Sequence, residues 1–198
     1  LFAMLHLFLS WTFNYDFVYG KPNWMVTIWG TSGKRAWDGG FFGLLSWGEI
    51  MLAGTLAFDV LERCSIPKSV AWLTSVGAGL MIVGYGLSCL TTLYNHEGLT
   101  EEQITTISRE PVVPSFSNLE RREWRSFLAE PPFVPPPSID ARSLNYWMMD
   151  KRVVTLSFVF FSTGFAVALY GLFVFCCDLR GGGLGLFRTF GQNPLASY

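Results

Sequence analysis

The alternation of apolar and polar positions along the chain predicts membrane helices before any other property enters. From Gly39 to Leu61 the residues are almost continuously apolar, and about 20 such residues are what an α-helix needs to cross a hydrocarbon core ~30 Å thick. Two later stretches, Ser69 to Tyr94 and Val153 to Cys177, have the same character. The expected complete spans therefore cover about 40–61, 69–94 and 153–177. Leu1 to about Phe13 is apolar but too short to span alone, and reads as the end of an earlier helix. Asn193 and Pro194 can cap and open a further helix near the other end. The chain reads as an internal fragment, with 1–198 part of one transmembrane domain. The expected fold class is all-α, a polytopic transmembrane helix bundle with partial helices at both ends.

The faces of these helices follow from their period of 3.6 residues. In the first span Ser46, Glu49, Ala53 and Ala57 share one sector, with Leu44, Trp47, Met51 and Phe58 opposite. Glu49 is read as lying near the middle of the span. An ionised carboxylate at bilayer depth costs several kcal/mol unless it meets a partner or water, so its face must pack against protein. It serves there either as a protonated or hydrogen-bonded staple or as a group that handles protons or polarises a substrate. Gly77, Met81, Gly84 and Ser88 share a face of the second span; Ser157, Gly164, Ala168 and Gly171 form a seam on the third. Small residues let helix backbones approach closely, so both faces are expected to be packed.

Between the spans the pattern changes. Residues 95–150 hold seven of the ten prolines and about half of the charges, and form an extramembrane loop. Capping-box spacing occurs at Thr100 with Gln103 and at Ser117 with Glu120, the second being the stronger helix signal. There Trp124, Phe127 and Leu128 lie beside Arg121, Arg122 and Arg125, as in a helix on a membrane surface or a solvated basic face. The shorter turn Glu62 to Lys68 breaks at Pro67, and Asp59 can pair with Arg63. The first loop, 14–38, is rich in Trp and Tyr, which favour the membrane interface.

Composition narrows the class. At 51% hydrophobic and 15% charged residues, the chain is too apolar for an ordinary soluble domain. A net charge of -1, with no concentrated basic surface, argues against nucleic-acid binding. Cys64, Cys89, Cys176 and Cys177 lack the paired spacing of zinc or redox sites and read as buried structural thiols; no metal is expected. His6, among Leu and Phe, reads as a hydrogen-bonded packing residue, and His96 beside Glu97 as a solvated helix-end residue. Counting spans puts loops 14–38 and 95–152 on one side of the membrane. That side carries Lys34, Arg35, Lys151 and Arg152 and most other cations, so the positive-inside rule makes it cytoplasmic.

Three patches carry a family resemblance: Gly43-Leu44-Leu45-Ser46 leading to Gly54; Met149-Asp150-Lys151-Arg152-Val153-Val154-Thr155-Leu156-Ser157-Phe158 opening a span that ends near Asp178; and Phe190-Gly191-Gln192-Asn193-Pro194-Leu195 before Tyr198. In order and spacing they resemble the multispanning membrane acyltransferases related to heparan-alpha-glucosaminide N-acetyltransferase and their bacterial counterparts. The resemblance implies transfer of an acetyl or other acyl group from coenzyme A to a sugar amine or hydroxyl. It also implies a bacterial cytoplasmic membrane, a glycan acceptor, and a principal catalytic histidine upstream of Leu1. Glu49 is the candidate catalytic residue within the chain. Lys34, Arg35, Lys151 and Arg152 are candidates for the phosphates of acetyl-CoA or another acyl-CoA. The Pro-rich insertion at 95–150 departs from the family's shorter connection. A homo-oligomer through the small-residue faces is a further expectation. The alternative is a non-enzymatic polytopic protein, such as a transporter component for envelope polysaccharide.

The parity of the spans is directly testable. Single cysteines at 34 and 151 should label from one side of the membrane and one at 66 from the other; any other pattern removes the topology.

Overall fold

The computed structural model describes residues 1–29, 36, 38–96, 98–116, 119, 123–132, 143–182 and 185. Among these the chain is helical throughout its regular parts. Phe2–Leu9 (α1) runs through a π turn, Ser10–Asn14, into Tyr15–Tyr19 (α2), and Trp24–Trp29 (α3) follows. The long helices are Gly43–Arg63 (α4), Ile66–Ser88 (α5) and Leu156–Val174 (α7); Glu101–Arg109 (α6) lies in the loop between the last two. A 3-10 turn, Cys89–Tyr94, prolongs α5, and a π turn, Phe175–Leu179, prolongs α7. With these extensions, three helices among the described residues are long and apolar enough to cross a membrane: Gly43–Arg63, Ile66–Tyr94 and Leu156–Leu179. The chain is a polytopic membrane bundle.

Helix starts differ from the sequence reading for identifiable reasons. Pro67 does not break the chain but occupies the first turn of α5, where its missing N–H is one the helix could not use anyway. The turn between α4 and α5 shrinks to Cys64 and Ser65. At the other boundary Val153 and Val154 remain outside α7, because Val154 adopts φ 55, a left-handed conformation that a β-branched residue rarely takes. The Asp59–Arg63 pair forms at 3.7 Å on an exposed surface.

The tightest packing is α5 against α7, and glycine makes it. A Cβ on Gly77 would lie 2.7 Å from the Gly164 carbonyl oxygen, one on Gly164 would lie 2.6 Å from the Gly77 oxygen, and one on Gly84 would lie 2.9 Å from the Ser157 oxygen. The two small-residue seams therefore face each other. On α4, Ser46 and Ala57 are buried, while Leu44, Met51 and Phe58 point outward, as the period predicts. Trp47 departs from that outward group: its indole N–H donates to the Asp38 carbonyl at 3.3 Å and its ring meets Phe158 edge-on.

In the long loop the Thr100 cap with Gln103 is present at α6. Ser117, Glu120, Arg121 and Arg122 lie outside the described residues, and Trp124–Phe127 is a single 3-10 turn rather than a helix. The expected helix start near Asn193 also lies outside them. The cysteines are not buried thiols. Cys64 and Cys177 are exposed, Cys89 and Cys176 partly so, and all four are free.

Gly164→Leu should destabilise the bundle by roughly 1–3 kcal/mol, the usual cost of overpacking a tight contact. Gly79→Leu should stay within about 0.5 kcal/mol, since nothing lies within 4 Å of a Cβ there. Thermal unfolding of the two variants in the same detergent checks the contrast.

Candidate functional site

Where α1, α4 and the segment before α7 meet, side chains that should be costly in a bilayer gather out of contact with solvent. On α1 and its π turn, His6, Ser10 and Asn14 are all buried. At steps of four residues an α-helix drifts steadily around its axis. A π turn has more residues per turn and sets the face back, so Ser10–Asn14 returns Asn14 to the column begun by His6. Opposite stand Ser46 and Glu49 of α4. The two helices run alongside one another: Glu49 lies against the backbone of Ala3, the Phe13 and Phe42 rings meet at 5.3 Å, and Asn14 Nδ2 reaches the Gly39 carbonyl at 3.5 Å.

Tyr146 closes the group. It is fully buried, and its hydroxyl shares a 2.9 Å hydrogen bond with His6 Nδ1. Ser10 lies beside that hydroxyl, and burial raises the phenol above its usual range, with the Glu49 carboxylate adding to the rise. Tyr146 thus stays protonated and can donate to His6. The other edge of the imidazole, Nε2, is sealed without a hydrogen-bond partner among the described residues, as are Ser46 Oγ, Asn14 Oδ1 and Glu49 Oε2. Buried polar atoms of this kind cost about 1–3 kcal/mol each, so their concentration here marks the place where the molecule departs from stability alone.

The segment that delivers Tyr146 is held by a chain of hydrogen bonds. Its Tyr146 N–H donates to the Pro111 carbonyl at 3.0 Å, Trp147 Nε1 donates to the Val112 carbonyl at 2.9 Å, and Ser157 Oγ donates to the Trp147 carbonyl at 2.9 Å. Thr155 Oγ1 donates to the Met148 carbonyl at 2.8 Å. Just beyond, the Gly39 N–H donates to the Arg152 carbonyl at 2.7 Å. Only glycine serves at 39: its φ is 81, and a Cβ would meet Val154 Cγ2 at 3.0 Å. The first and second loops are thereby joined on one membrane side.

Glu49 proves to lie near that side rather than at mid-span, because α4 starts at Gly43. Six residues at 1.5 Å each put it only about 9 Å from the start of the helix. Its carboxyl faces α1, as expected. Lys34 and Arg35 lie outside the described residues. Lys151 and Arg152 are both exposed, and Arg152 Nε is 3.4 Å from Asp150 Oδ1. Asp150 in turn accepts from Tyr19 Oη at 2.6 Å. The carboxylate thus offsets part of the positive charge. His96 is half-buried, with Nε2 enclosed and without a partner among the described residues. The reading of His6 as a hydrogen-bonded packing residue holds, with Tyr146 as its partner; its place in one buried column with Ser10 and Asn14 goes beyond that reading. The four-residue spacing of His6, Ser10 and Asn14 was a visible signal; Tyr146 carried none.

No known protein family, curated protein or solved structure matches the chain. Its class therefore rests on the fold alone: an integral membrane protein of the all-α polytopic type, with a buried polar cluster on its loop side.

Tyr146→Phe should lower stability by about 1–3 kcal/mol, by leaving His6 Nδ1 buried and unpaired. Tyr170→Phe, on an exposed face, should change it little. Unfolding curves in detergent compare the two, and equal stabilities would mean that the His6 bond is not structural.

Proposed function

We propose that this chain forms a wall of an integral membrane acyltransferase in a bacterial cytoplasmic membrane, moving an acetyl or acyl group from coenzyme A to a sugar amine or hydroxyl. The observation that supports it most is the buried His6–Tyr146 pair, with the half-buried Glu49 near it, lying on the same membrane side as Lys151 and Arg152. In acyl transfer the acceptor nitrogen or oxygen attacks the thioester carbonyl carbon, the carbon–sulfur bond breaks, and the acceptor's proton must pass to a base while coenzyme A leaves as the thiol. Glu49 is the group on this wall suited to that proton. The His6–Tyr146 hydrogen bond would hold the buried side of the group near it. Lys151 and Arg152, with Lys34 and Arg35, would meet the donor phosphates.

A second reading, a transporter component for envelope polysaccharide, draws on one feature: the buried polar column of His6, Ser10 and Asn14 on a helix that passes through a π turn, a distortion frequent at functional sites. The two readings part on kinetics. In membranes holding the protein, Lys151→Gln with Arg152→Gln should raise the donor KM several-fold with kcat nearly kept, and Glu49→Gln should lower kcat without loss of folding. No acyl transfer to any amino sugar or glycan, together with flux of glycan into proteoliposomes, would replace the first reading by the second.

A further inference from the structure

The segment around Trp124 is tied to the edge of a spanning helix in a way that gives its exposed apolar side chains a definite neighbour. Tyr85 Oη, on α5, donates to the Ala129 carbonyl at 2.8 Å, and the Ala129 N–H points to Cys89 Sγ at 3.4 Å. From Ile66, where α5 begins, to Tyr85 the helix rises about 30 Å, the thickness of a hydrocarbon core. Other contacts place the same boundary there. Gly84 lies against the Ser157 carbonyl at the start of α7, and Trp47 of α4 meets Phe158, so Trp47, Tyr85 and Ser157 stand at one height. Tyr and Trp at that height are what a bilayer interface selects.

Against this edge the turn Trp124–Phe127 presents Trp124 and Leu128, which are 69% and 50% exposed. The Arg125 guanidinium lies 5.4 Å from the centre of the Trp124 ring, which keeps a cation beside the apolar pair. An irregular backbone cannot enter the hydrocarbon, where its polar groups would go unmatched. The headgroup layer satisfies both the backbone and the Arg, and accepts Trp and Leu.

We propose that Trp124, Arg125 and Leu128 form an interfacial anchor that docks on the phospholipid headgroup layer of the bilayer the protein itself spans, on the long-loop side. The anchor holds the 124–130 segment flat against the membrane and is independent of the acyltransferase reading. Its occupant is lipid rather than protein because the patch continues the lipid-facing surface of α5 through Tyr85.

The test uses the whole chain in nanodiscs. The contribution of Trp124 to fluorescence is obtained as the difference between the native protein and Trp124→Phe, and a second reporter is Leu128→Trp in the Trp124→Phe background. Both reporters should be quenched several-fold more by phospholipids brominated high on the acyl chain than by aqueous iodide, with blue-shifted emission. Strong iodide quenching with solvent-like emission would show a solvated loop. Protection from both quenchers would show a surface covered by protein or by a second copy. Either result overturns the proposal.

Discussion

Backbone contact between α5 and α7 is the constraint on which the rest of this structure depends. Gly77, Gly84, Gly164 and Gly171 each face a partner atom within about the reach of a methyl group, so the two helices meet through main chain and gain dispersion over their length. In lipid no hydrophobic force favours helix over acyl chain, and close packing of this kind is what holds spans together. The contact also sets heights. With Gly84 against the Ser157 carbonyl, α7 must begin level with the end of α5, and the residues before it are forced to turn over the top of the bundle.

That forced turn explains the strain and the polar cluster together. Val154 at φ 55 carries a cost of about 1–3 kcal/mol, which the surrounding structure must offset. It does so with Thr155 bonded to Met148, Ser157 to Trp147 and Gly39 to Arg152. The reward of the geometry is the placement of Tyr146, which could not reach His6 if α7 began at Val153 as an unbroken helix. The π turn at Ser10–Asn14 makes the matching adjustment on the other side. Two departures from regular backbone, far apart in sequence, converge on one buried group.

Electrostatics at the loop-side edge follow from the same turn. Asp150 takes hydrogen bonds from Tyr19, from the Arg152 backbone N–H at 2.7 Å and from its side chain. It therefore fixes the Arg152 head while leaving Lys151 outward. Cations near a membrane edge often do no more than anchor it; here one of them is held by a half-buried carboxylate, and its backbone carries the junction to the first loop.

Much of this architecture was legible in the amino-acid sequence, because length, hydropathy and spacing are local properties. The three spans, the small-residue seams of α5 and α7, the Ser46, Glu49 and Ala57 face, the Thr100 cap and the Asp59–Arg63 pair all follow from counting along the chain. The depth of Glu49 was not legible, since it depends on where α4 starts, and the Asp38 to Phe42 turn that sets this is pinned by Arg152. Nor were the packing of Trp47, the exposure of the cysteines or the role of Pro67, each decided by what stands opposite. The partner of His6 lies 140 residues away in a loop with no periodicity. Whether a buried polar atom in a membrane is satisfied depends on segments distant in sequence, and only the tertiary structure brings those segments together.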